Sequence, residues 1–310
     1  MEVLLKDSAV PPHLRGGALA LGNFDGVHAG HQAVIDAAVA YARHRAVPAL
    51  AATFDPHPSR FFRPESPPFA LTTIPQKLRL FEQLGLDGAI IIPFDAALAN
   101  LPPEAFVDHW LVEKLGVRHV TTGHDFSFGR ARSGTATRLA EIGKTRGFTT
   151  QALESVTAAD GETVSSTRIR EALQRGDLPL ATSLLTRPFT IAGTVIHGDK
   201  RGRTIGVPTA NVDPGDYIRP RYGVYAVRVR LPDGDVVAGV ANFGIRPMFE
   251  PPKELLEVWL FDWSGDLYGQ TIETEFVAFL RDELRLDGLE ALKAQIARDA
   301  ENARHILAAN

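Results

Sequence analysis

The closely spaced pair His28 and His31 has the clearest chemical meaning of any feature in this sequence. It lies in the run LGNFDGVHAGHQ at 21–32, which follows an apolar strand pattern at 18–21 and precedes apolar residues at helical spacing. Both imidazoles are therefore predicted at a helix N-terminus, where backbone N–H groups and the helix dipole attract anions. The glycines of the run let the backbone approach a phosphate. Two imidazoles there could donate hydrogen bonds to a phosphate whose negative charge grows during displacement.

Zinc binding is the main alternative for this histidine pair. The chain has 10 histidines and no cysteine, and the other histidines form no second closely spaced pair. Protein zinc sites need three or four such ligands. We therefore expect a nucleotide phosphate at this place, with Gly22, Asn23 and Phe24 of the preceding turn close to it.

Hydroxyl and arginine side chains begin another helical pattern, SSTRIR at 165–170. Ser166 and Thr167 are residue types preferred at helix N-caps, and that structural role is the alternative to ligand binding. An arginine in the same turn adds the possibility of a charge-assisted contact to phosphate. We expect Arg168 to provide it.

Polar loops follow predicted strands in the first half of the chain. Asp125 lies in GHDFSFGR at 123–130, and Asp55, His57 and Pro58 lie in the stiff turn DPHP at 55–58. Ligands of open α/β sheets bind at the carboxyl ends of the strands. Both loops are therefore candidates for the cleft that contains the histidines, and a solvated turn is the alternative for each.

The second half contains a different phosphate-binding candidate. The loop GDKRGR at 198–203 combines glycines with cations, and a solvated basic loop is its alternative. Directly after it, Thr209 and Asn211 offer neutral oxygens, which suit Mg²⁺ held together with nucleotide phosphates. The phosphate-binding candidates of the loop are Gly198, Lys200, Arg201 and Gly202.

Glu257 lies in LLEVWLF at 255–261, a strand pattern with apolar residues on both faces. An unpaired buried carboxylate is costly, so we expect either a partner or a raised pKa. A raised pKa would suit a general base that deprotonates an attacking hydroxyl. An ion-paired structural glutamate is the alternative.

The elements that must position these residues differ between the two halves. Alternating strand and helix patterns up to about residue 173 predict an open, largely parallel sheet of the Rossmann type covered by helices. Short strands with regular turns after residue 187 predict a small antiparallel barrel, followed by a helix whose apolar face is Leu289, Leu292, Ile296 and Ala300. The predicted domains are 1–186 and 187–310. Predicted first-half strands are 18–21, 49–54, 89–94, 117–122 and 148–156, and predicted helices are 31–45, 76–84, 103–115 and 135–145.

Composition limits the classes of function. The chain has 310 residues, 45% of them hydrophobic, and a formal net charge of −4, without the basic excess typical of nucleic-acid binding. Because cysteine is absent, disulfides and thiol chemistry are excluded. We find neither a signal-peptide pattern nor an apolar run of membrane-spanning length, so we expect a cytoplasmic protein with no membrane partner.

Several of these segments resemble the bacterial bifunctional riboflavin kinase/FAD synthetase family, in the same order along the chain. The first half is similar to the adenylyltransferase module in GNFDGVHAGH, GHDFSFGR and SSTRIR, at 22–31, 123–130 and 165–170. The second half is similar to the kinase module, and the similarity covers nearly the whole chain. Its matching segments are the 193–203 loop, PTAN at 208–211, YGVY at 222–225, NFGIRP at 242–247, DLYG at 266–269 and FLR at 279–281.

The resemblance implies two reactions that use ATP. The kinase module would phosphorylate riboflavin to FMN and release ADP, and the other module would adenylylate FMN to FAD and release pyrophosphate. The implied kinase residues are Glu257 as base and Thr209 and Asn211 as Mg²⁺ and nucleotide ligands. The implied adenylyltransferase residues are His28, His31 and Arg168. We expect flavin contacts at Asp55, His57, Pro58, Tyr222, Tyr225 and Arg281.

The chain departs from the family pattern at a few positions. Met248 stands where a threonine is usual, Val207 replaces a common phenylalanine, and His124 occupies a variable position. None of these changes removes a proposed catalytic group. A nucleotidyltransferase with a single activity and a flavin-responsive regulator without turnover remain the alternative functions.

Overall fold

The computed structural model describes residues 1–5, 8–197, 206–246 and 253–309, with the side chain of Arg246 left out. The chain forms two compact units. The first comprises Met1–Pro67 and Ile74–Ser165, and the second comprises Pro68–Thr73 and Ser166–Asn310. The division of function at residue 186 stays a prediction.

The first unit is built on a six-stranded sheet with the order β1-β4-β3-β2-β5-β8. Every pair of neighbouring strands is parallel, which confirms the predicted sheet type. Because β2 lies between β3 and β5, the chain changes direction across the sheet beside the end of β2, where α/β sheets bind ligands. The strands are β1 (Glu2–Leu4), β2 (Ala18–Leu21), β3 (Ala49–Asp55), β4 (Gly88–Pro93), β5 (His119–Gly123) and β8 (Thr149–Leu153), with a separate hairpin of β6 (Ser127–Phe128) and β7 (Gly134–Thr135).

Helices cover this sheet, and those of the second unit flank and follow its barrel strands. Helix α5 continues as a π-helix at Val107–Lys114. The helices are α1 (Ala29–Arg45), α2 (Pro58–Phe62), α3 (Ile74–Gln83), α4 (Ala96–Ala99), α5 (Pro103–Phe106), α6 (Ala136–Arg146), α7 (Ser166–Arg175), α8 (Leu178–Leu185) and α9 (Leu289–Ala309).

The two faces of the sheet carry side chains of different size. Leu19, Leu21 and Leu50 belong to a core that includes Trp110. The alternate positions, Ala18, Ala20, Ala49, Ala51 and Ala89, belong to a second core together with Val34, Ile35, Ala38 and Ala42 of α1. Successive strand residues point to opposite faces, so the alanines form one continuous surface. Small side chains there let α1 lie close to the sheet, and the predicted apolar positions of α1 are confirmed.

The second unit contains a closed barrel with the strand order β10-β13-β12-β11-β14-β9. All its neighbouring strands are antiparallel, as predicted. The described strands close into a ring, and buried Phe189, Tyr225, Phe243 and Phe276 are among its largest core residues. The strands are β9 (Phe189–Ile196), β10 (Ala210–Val212), β11 (Gly223–Arg230), β12 (Val236–Arg246), β13 (Lys253–Leu260) and β14 (Thr271–Arg281).

The predicted apolar face of α9 is wrong at the start of the helix. Leu289 and Leu292 are 51% and 37% exposed, whereas Ala300 and Ala303 are buried in a cluster with Phe261. The helix therefore packs on the barrel through its later turns. Periodicity alone does not show which turns of an amphipathic helix reach the core.

Candidate active sites

His28 and His31 meet at the first turn of α1, as the sequence predicted. His28 is the N-cap, and its Nδ1 accepts a hydrogen bond from the backbone N–H of His31 at 3.3 Å. The two rings stack with centroids 3.6 Å apart and an interplanar angle of 18°. Because Nδ1 of His28 is an acceptor, Nε2 carries the proton of the neutral ring and is the donor. The pair thus combines an imidazole donor with the positive end of a helix dipole.

The turn before α1 has an unusual backbone. Phe24 and Val27 are not glycines, yet their φ angles are 50° and 42°, and both side chains are buried. Left-handed conformations at such residues cost energy and persist only when the surroundings impose them. A Cβ on Gly30 would lie 3.3 Å from the His28 ring, so glycine makes room for that imidazole. The backbone of this turn therefore fixes the position of the Phe24 side chain and leaves space for the His28 ring.

An aromatic cavity of 460 Å³ opens in the first unit and is partly lined by Asn23 of the same turn. Pro58, one of the predicted flavin contacts, also lines it. The cations on its wall are Arg63 and Arg132, and Arg132 Nε donates to Ser127 Oγ at 2.8 Å. The aromatic residues on its wall are Phe54, Phe62, Phe94, Phe106, Phe126 and Phe128. Flat aromatic walls beside guanidinium groups suit a planar ring that carries a phosphate.

Sequence reasoning missed these aromatic residues. Phe126 and Phe128 lie within GHDFSFGR, so their motif was recognised but their rings were not. Phe62 is 64% exposed, an unusual position for a large apolar side chain and therefore a possible signal. Phenylalanines that converge from separate segments of the chain give no local pattern.

The other predicted residues of the adenylyltransferase site have different surroundings. His57 caps α2, since its Nδ1 accepts from Ser59 N–H at 3.1 Å, and the carbonyl of Asp55 accepts from Phe94 N–H. Asp125 is exposed in the turn after β5. Ser166, Thr167 and Arg168 form the first turn of α7, which belongs to the second unit.

A row of polar residues crosses the barrel in the second unit. Glu257 on β13 lies directly opposite Asn211 on β10 and also opposite Asn242 on β12. Residues that face each other on neighbouring strands point to the same side, with Cβ atoms about 5 Å apart. The register therefore brings one carboxylate between two amides.

Burial within this row differs from the prediction for Glu257. Asn211 is 7% exposed, but Glu257 is only half-buried, so the expectation of a fully buried carboxylate is wrong. The apolar residues next to Glu257 in the sequence point to both faces of β13, and its own face is partly open. Oδ1 of Asn242 is buried and has no hydrogen-bond partner among the described groups. Sequence reasoning did not select Asn242, although it begins the NFGIRP segment.

A cavity of 300 Å³ lies beside Thr209. It is also lined by Pro208, Trp263, Asp266 and Tyr268. Thr209 directly precedes the short strand β10, and Asn211 is the middle residue of that strand, so the cavity and the polar row adjoin through a few residues of chain. The predicted phosphate loop residues Gly198, Lys200, Arg201 and Gly202 lie outside the described residues, as does Met248.

The structure gives Arg281 and Asp299 a clear structural role. The guanidinium of Arg281 donates two hydrogen bonds to the Asp299 carboxylate, from Nη2 to Oδ2 at 2.6 Å and from Nε to Oδ1 at 2.9 Å. Asp299 is 4% exposed and lies on α9. The ion pair links α9 to β14. Arg281 on β14 lies opposite Val224 on β11, and Val224 lies opposite Asn242 on β12.

The two predicted tyrosine contacts also have protein partners. Tyr222 donates a hydrogen bond to Glu254. Burial, and to a smaller extent this hydrogen bond, raises the pKa of Tyr222 to about 12. Although burial opposes it, hydrogen bonds from Tyr222 and Arg219 lower the pKa of Glu254. Tyr225 is fully buried in the barrel core and donates to the Arg221 carbonyl, so the geometry gives its predicted flavin contact no support.

Comparisons with known proteins agree with this arrangement. The sequence matches the family described as FAD synthetase over residues 10–168 and the family described as riboflavin kinase over residues 185–307. No helix within the described residues is long and apolar enough to cross a membrane.

Relatives whose names combine both activities match nearly the whole chain. A Haemophilus influenzae protein named bifunctional riboflavin kinase/FMN adenylyltransferase is 40% identical over 291 residues, covering 94% of each chain. A Pseudomonas fluorescens protein of the same name is 42% identical, covering 96% of this chain and 95% of its own. A solved structure titled a macrolide-efflux protein, from Streptococcus pneumoniae, has a TM-score of 0.87 at 27% identity, covering 98% of this chain and 99% of its own. The resemblance seen in the motifs is confirmed: this chain belongs to the bifunctional riboflavin kinase/FMN adenylyltransferase family.

Proposed function

We propose that this enzyme converts riboflavin to FMN and then FMN to FAD, using one ATP for each step. The observation that carries the proposal is that each half of the chain matches one of the two families and holds its own polar constellation: a stacked histidine pair in one, a carboxylate between amides in the other. We divide the two modules at residue 186. The family matches, which end at residue 168 and begin again at residue 185, support this division, although contacts group α7 and α8 with the barrel.

In the kinase module, the terminal ribityl hydroxyl of riboflavin attacks the γ-phosphorus of ATP. A new O–P bond forms, the bond from the γ-phosphorus to the bridging oxygen breaks, and ADP leaves with that oxygen. Glu257 takes the hydroxyl proton, with the amides of Asn211 and Asn242 beside it to orient the carboxylate and the acceptor. The buried Oδ1 of Asn242 is suited to accept a hydrogen bond from a substrate hydroxyl.

Enzymes that transfer phosphoryl and nucleotidyl groups from ATP generally use a divalent metal, and we propose Mg²⁺ here. Within the described part of the chain, no group of three or more His, Asp or Glu is placed to hold a metal. Thr209 and buried Asn211 instead supply neutral oxygens, a donor set that fits a hard cation sharing its shell with phosphates and water. Bound there, Mg²⁺ would neutralise negative charge on the phosphates of ATP.

In the adenylyltransferase module, a phosphate oxygen of FMN attacks the α-phosphorus of ATP. The bond between the α-phosphorus and the bridging oxygen breaks, and pyrophosphate leaves. Nε2 of His28 and the imidazole of His31 stabilise the developing charge at the N-terminus of α1. The aromatic cavity holds the flavin ring, and Arg63 and Arg132 on its wall attract the FMN phosphate. Gly22, Asn23, Phe24 and Asp125 of the first unit contact the nucleotide, whereas a nucleotide contact of Ser166, Thr167 and Arg168 stays a prediction from the sequence.

The direct test is to incubate the protein with riboflavin, ATP and MgCl₂ and to separate the flavins by chromatography. FMN should appear first and FAD second, with ADP and pyrophosphate released in step. FAD formed only from supplied FMN would leave a nucleotidyltransferase with a single activity. Flavin binding without either product would leave a regulator. The chemistry and its substrates are those of the cytoplasm, where we place the protein.

A further inference from the structure

Lys77 is a buried cation that the two reactions above do not use. It lies on α3 and is 4% exposed. Its Nζ donates to the Asn23 carbonyl at 2.7 Å and to Thr53 Oγ1 at 3.1 Å, and Thr53 Oγ1 donates to the same carbonyl at 2.9 Å. Lysines are seldom fully buried, because removing an ammonium from water is expensive. The closed set of three polar groups accounts for its presence.

The contacts of Lys77 link three separate elements of the first unit. Asn23 belongs to the turn after β2, and Thr53 lies in β3. The same helix touches the turn a second time, since the ring of Phe81 packs edge-on against Phe24 with centroids 5.5 Å apart. Phe24 in turn packs edge-on against His31 at 5.4 Å. Helix α3 thus holds the turn through two contacts, the hydrogen bond from Lys77 to Asn23 and the packing of Phe81 on Phe24.

Two carboxylates act on the ammonium. Burial lowers the pKa of Lys77 to about 8, and the charges of Asp25 and Asp55 oppose that change. Asp25 is buried in the turn before α1, and Asp55 ends β3. With Lys77 protonated, both carboxylates have a counter-charge nearby. With Lys77 neutral, both carboxylates lose that counter-charge.

We propose that Lys77 is a positioning residue for adenylyl transfer: its ammonium holds the Asn23 carbonyl, and so fixes the turn from which Phe24, His28 and His31 project. The inference rests on the proposed function of the first unit. Lys77 is not proposed as a catalytic residue, because its ammonium is buried and donates to the Asn23 carbonyl and to Thr53 Oγ1. It acts on the reaction through the location of Asn23 at the cavity wall and of the imidazoles at the helix terminus.

The first experiment compares Lys77→Met with wild type in both reactions. Small displacements of catalytic groups cost about 100-fold in rate, so kcat for FAD formation from FMN and ATP should fall by about that factor. Formation of FMN from riboflavin in the same sample should stay at the wild-type rate, which shows that the second unit is folded; an unchanged KM for ATP in FAD formation shows the same for the first unit. Lys144→Met, on the exposed side of α6, is the matched control and should change neither rate.

A second variant covers the case in which Lys77→Met does not fold. Thr53→Val keeps the shape of the side chain and the charge of Lys77 but removes the hydroxyl that joins Lys77 to the Asn23 carbonyl. It should lower kcat for FAD formation by about 10-fold with little change in KM for ATP, because it loosens one of the contacts that fix the turn. Wild-type kcat in both Lys77→Met and Thr53→Val would overturn the proposal.

The pH profile gives a readout that a purely structural lysine would not move. In wild type, kcat/KM for FAD formation should fall above about pH 8, as Lys77 loses its proton in the free enzyme, while FMN formation keeps its own profile. Thr53→Val removes an acceptor of the Lys77 ammonium and should therefore move the alkaline fall in kcat/KM to lower pH. A wild-type profile without such a limb would also contradict the proposal. If wild type formed no FAD at all, the proposed function would fail instead, and the variants would not be needed to show it.

Discussion

At the scale of single residues, the two sites differ in how they handle charge. In the proposed mechanism, the histidine pair stabilises negative charge that develops on a phosphate, through imidazole donors and a helix terminus. The proposed role of Glu257 is instead to remove a proton from a neutral nucleophile. The two groups can therefore be inactivated separately within one chain, which makes each reaction the control for the other.

Replacing both His28 and His31 by alanine should abolish FAD formation, with a loss of at least about 100-fold, because donors aimed at the developing charge are removed. FMN formation by the same variant should be unchanged. Initial rates of both products, measured by chromatography of the flavins, check this outcome. His44→Ala, an exposed histidine near the other end of α1, is the matched control. FAD production at the wild-type rate would remove the assignment of the pair.

Replacing Glu257 by glutamine should have the opposite effect. General bases contribute about 10²- to 10⁴-fold, so FMN formation should fall within that range while FAD formation from supplied FMN continues. The rate of ADP release with riboflavin measures the first reaction, and pyrophosphate release with FMN measures the second. Glu301→Gln, exposed on α9, should alter neither. Near-normal FMN production in Glu257→Gln would make this glutamate structural.

The residues found from sequence and those that were missed differ in how local their signals are. His28 and His31 are close in the chain and lie in a glycine-rich run, so spacing alone predicted their meeting. Lys77 reaches Asn23 and Thr53, which are 54 and 24 positions away, and nothing near Lys77 in the sequence announces that contact. Asn242 likewise acquires its meaning only from the register of β12 against β13.

At the scale of elements, β2, β3 and β4 were predictable because continuous apolar runs are typical of buried parallel strands. The three-residue edge strand β1 was not predicted, since so short a segment has no period to detect. The docking of α9 was misassigned, because a charged residue, Asp299, is among its most buried positions. Its partner Arg281 comes from another strand, so the hydrophobic pattern of the helix could not reveal it.

Breaking this link should loosen α9 from the barrel. Asp299→Asn leaves the guanidinium of Arg281 partly buried without its counter-ion, and we expect the free energy of unfolding of the second unit to fall by about 2 kcal/mol. Chemical denaturation followed by tryptophan fluorescence measures this change, since Trp259 packs in the cluster under α9. Lys293→Met removes an exposed ion pair of the same helix and should cost less than about 0.5 kcal/mol. Equal effects of the two substitutions would contradict the proposed role of the buried pair.

At the scale of the whole molecule, the different periods of the two halves made both architectures predictable, and the resemblance of the motifs to a known family implied both activities. The extent of each compact unit was not predictable. Residues 68–73 are grouped with the second unit although they lie within the first half of the sequence. Arg170 donates to the Phe69 carbonyl at 2.8 Å and stacks over its ring, a long-range contact that composition does not show.

A mixture of two inactivated proteins tests the independence of the reactions. The His28→Ala, His31→Ala variant should make FMN only, and Glu257→Gln should make almost no FMN from riboflavin. Combined in one tube with riboflavin and ATP, they should produce FAD, because FMN released by one chain can bind to the other. Chromatography of the mixture over time should show FMN rising before FAD. Absence of FAD from the mixture would mean that FMN must pass within a single chain.

The alanine surface of the sheet has a consequence for the reactive end of α1. A side chain larger than a methyl group at Ala20 or Ala51 would push α1 away from the sheet, because protein interiors are close-packed and have no spare volume. The positions of the two imidazoles therefore depend on the alanines of the sheet, which have the smallest side chains of this core. Buried residues of the sheet thus help to fix the imidazoles to which we assign the adenylyl transfer.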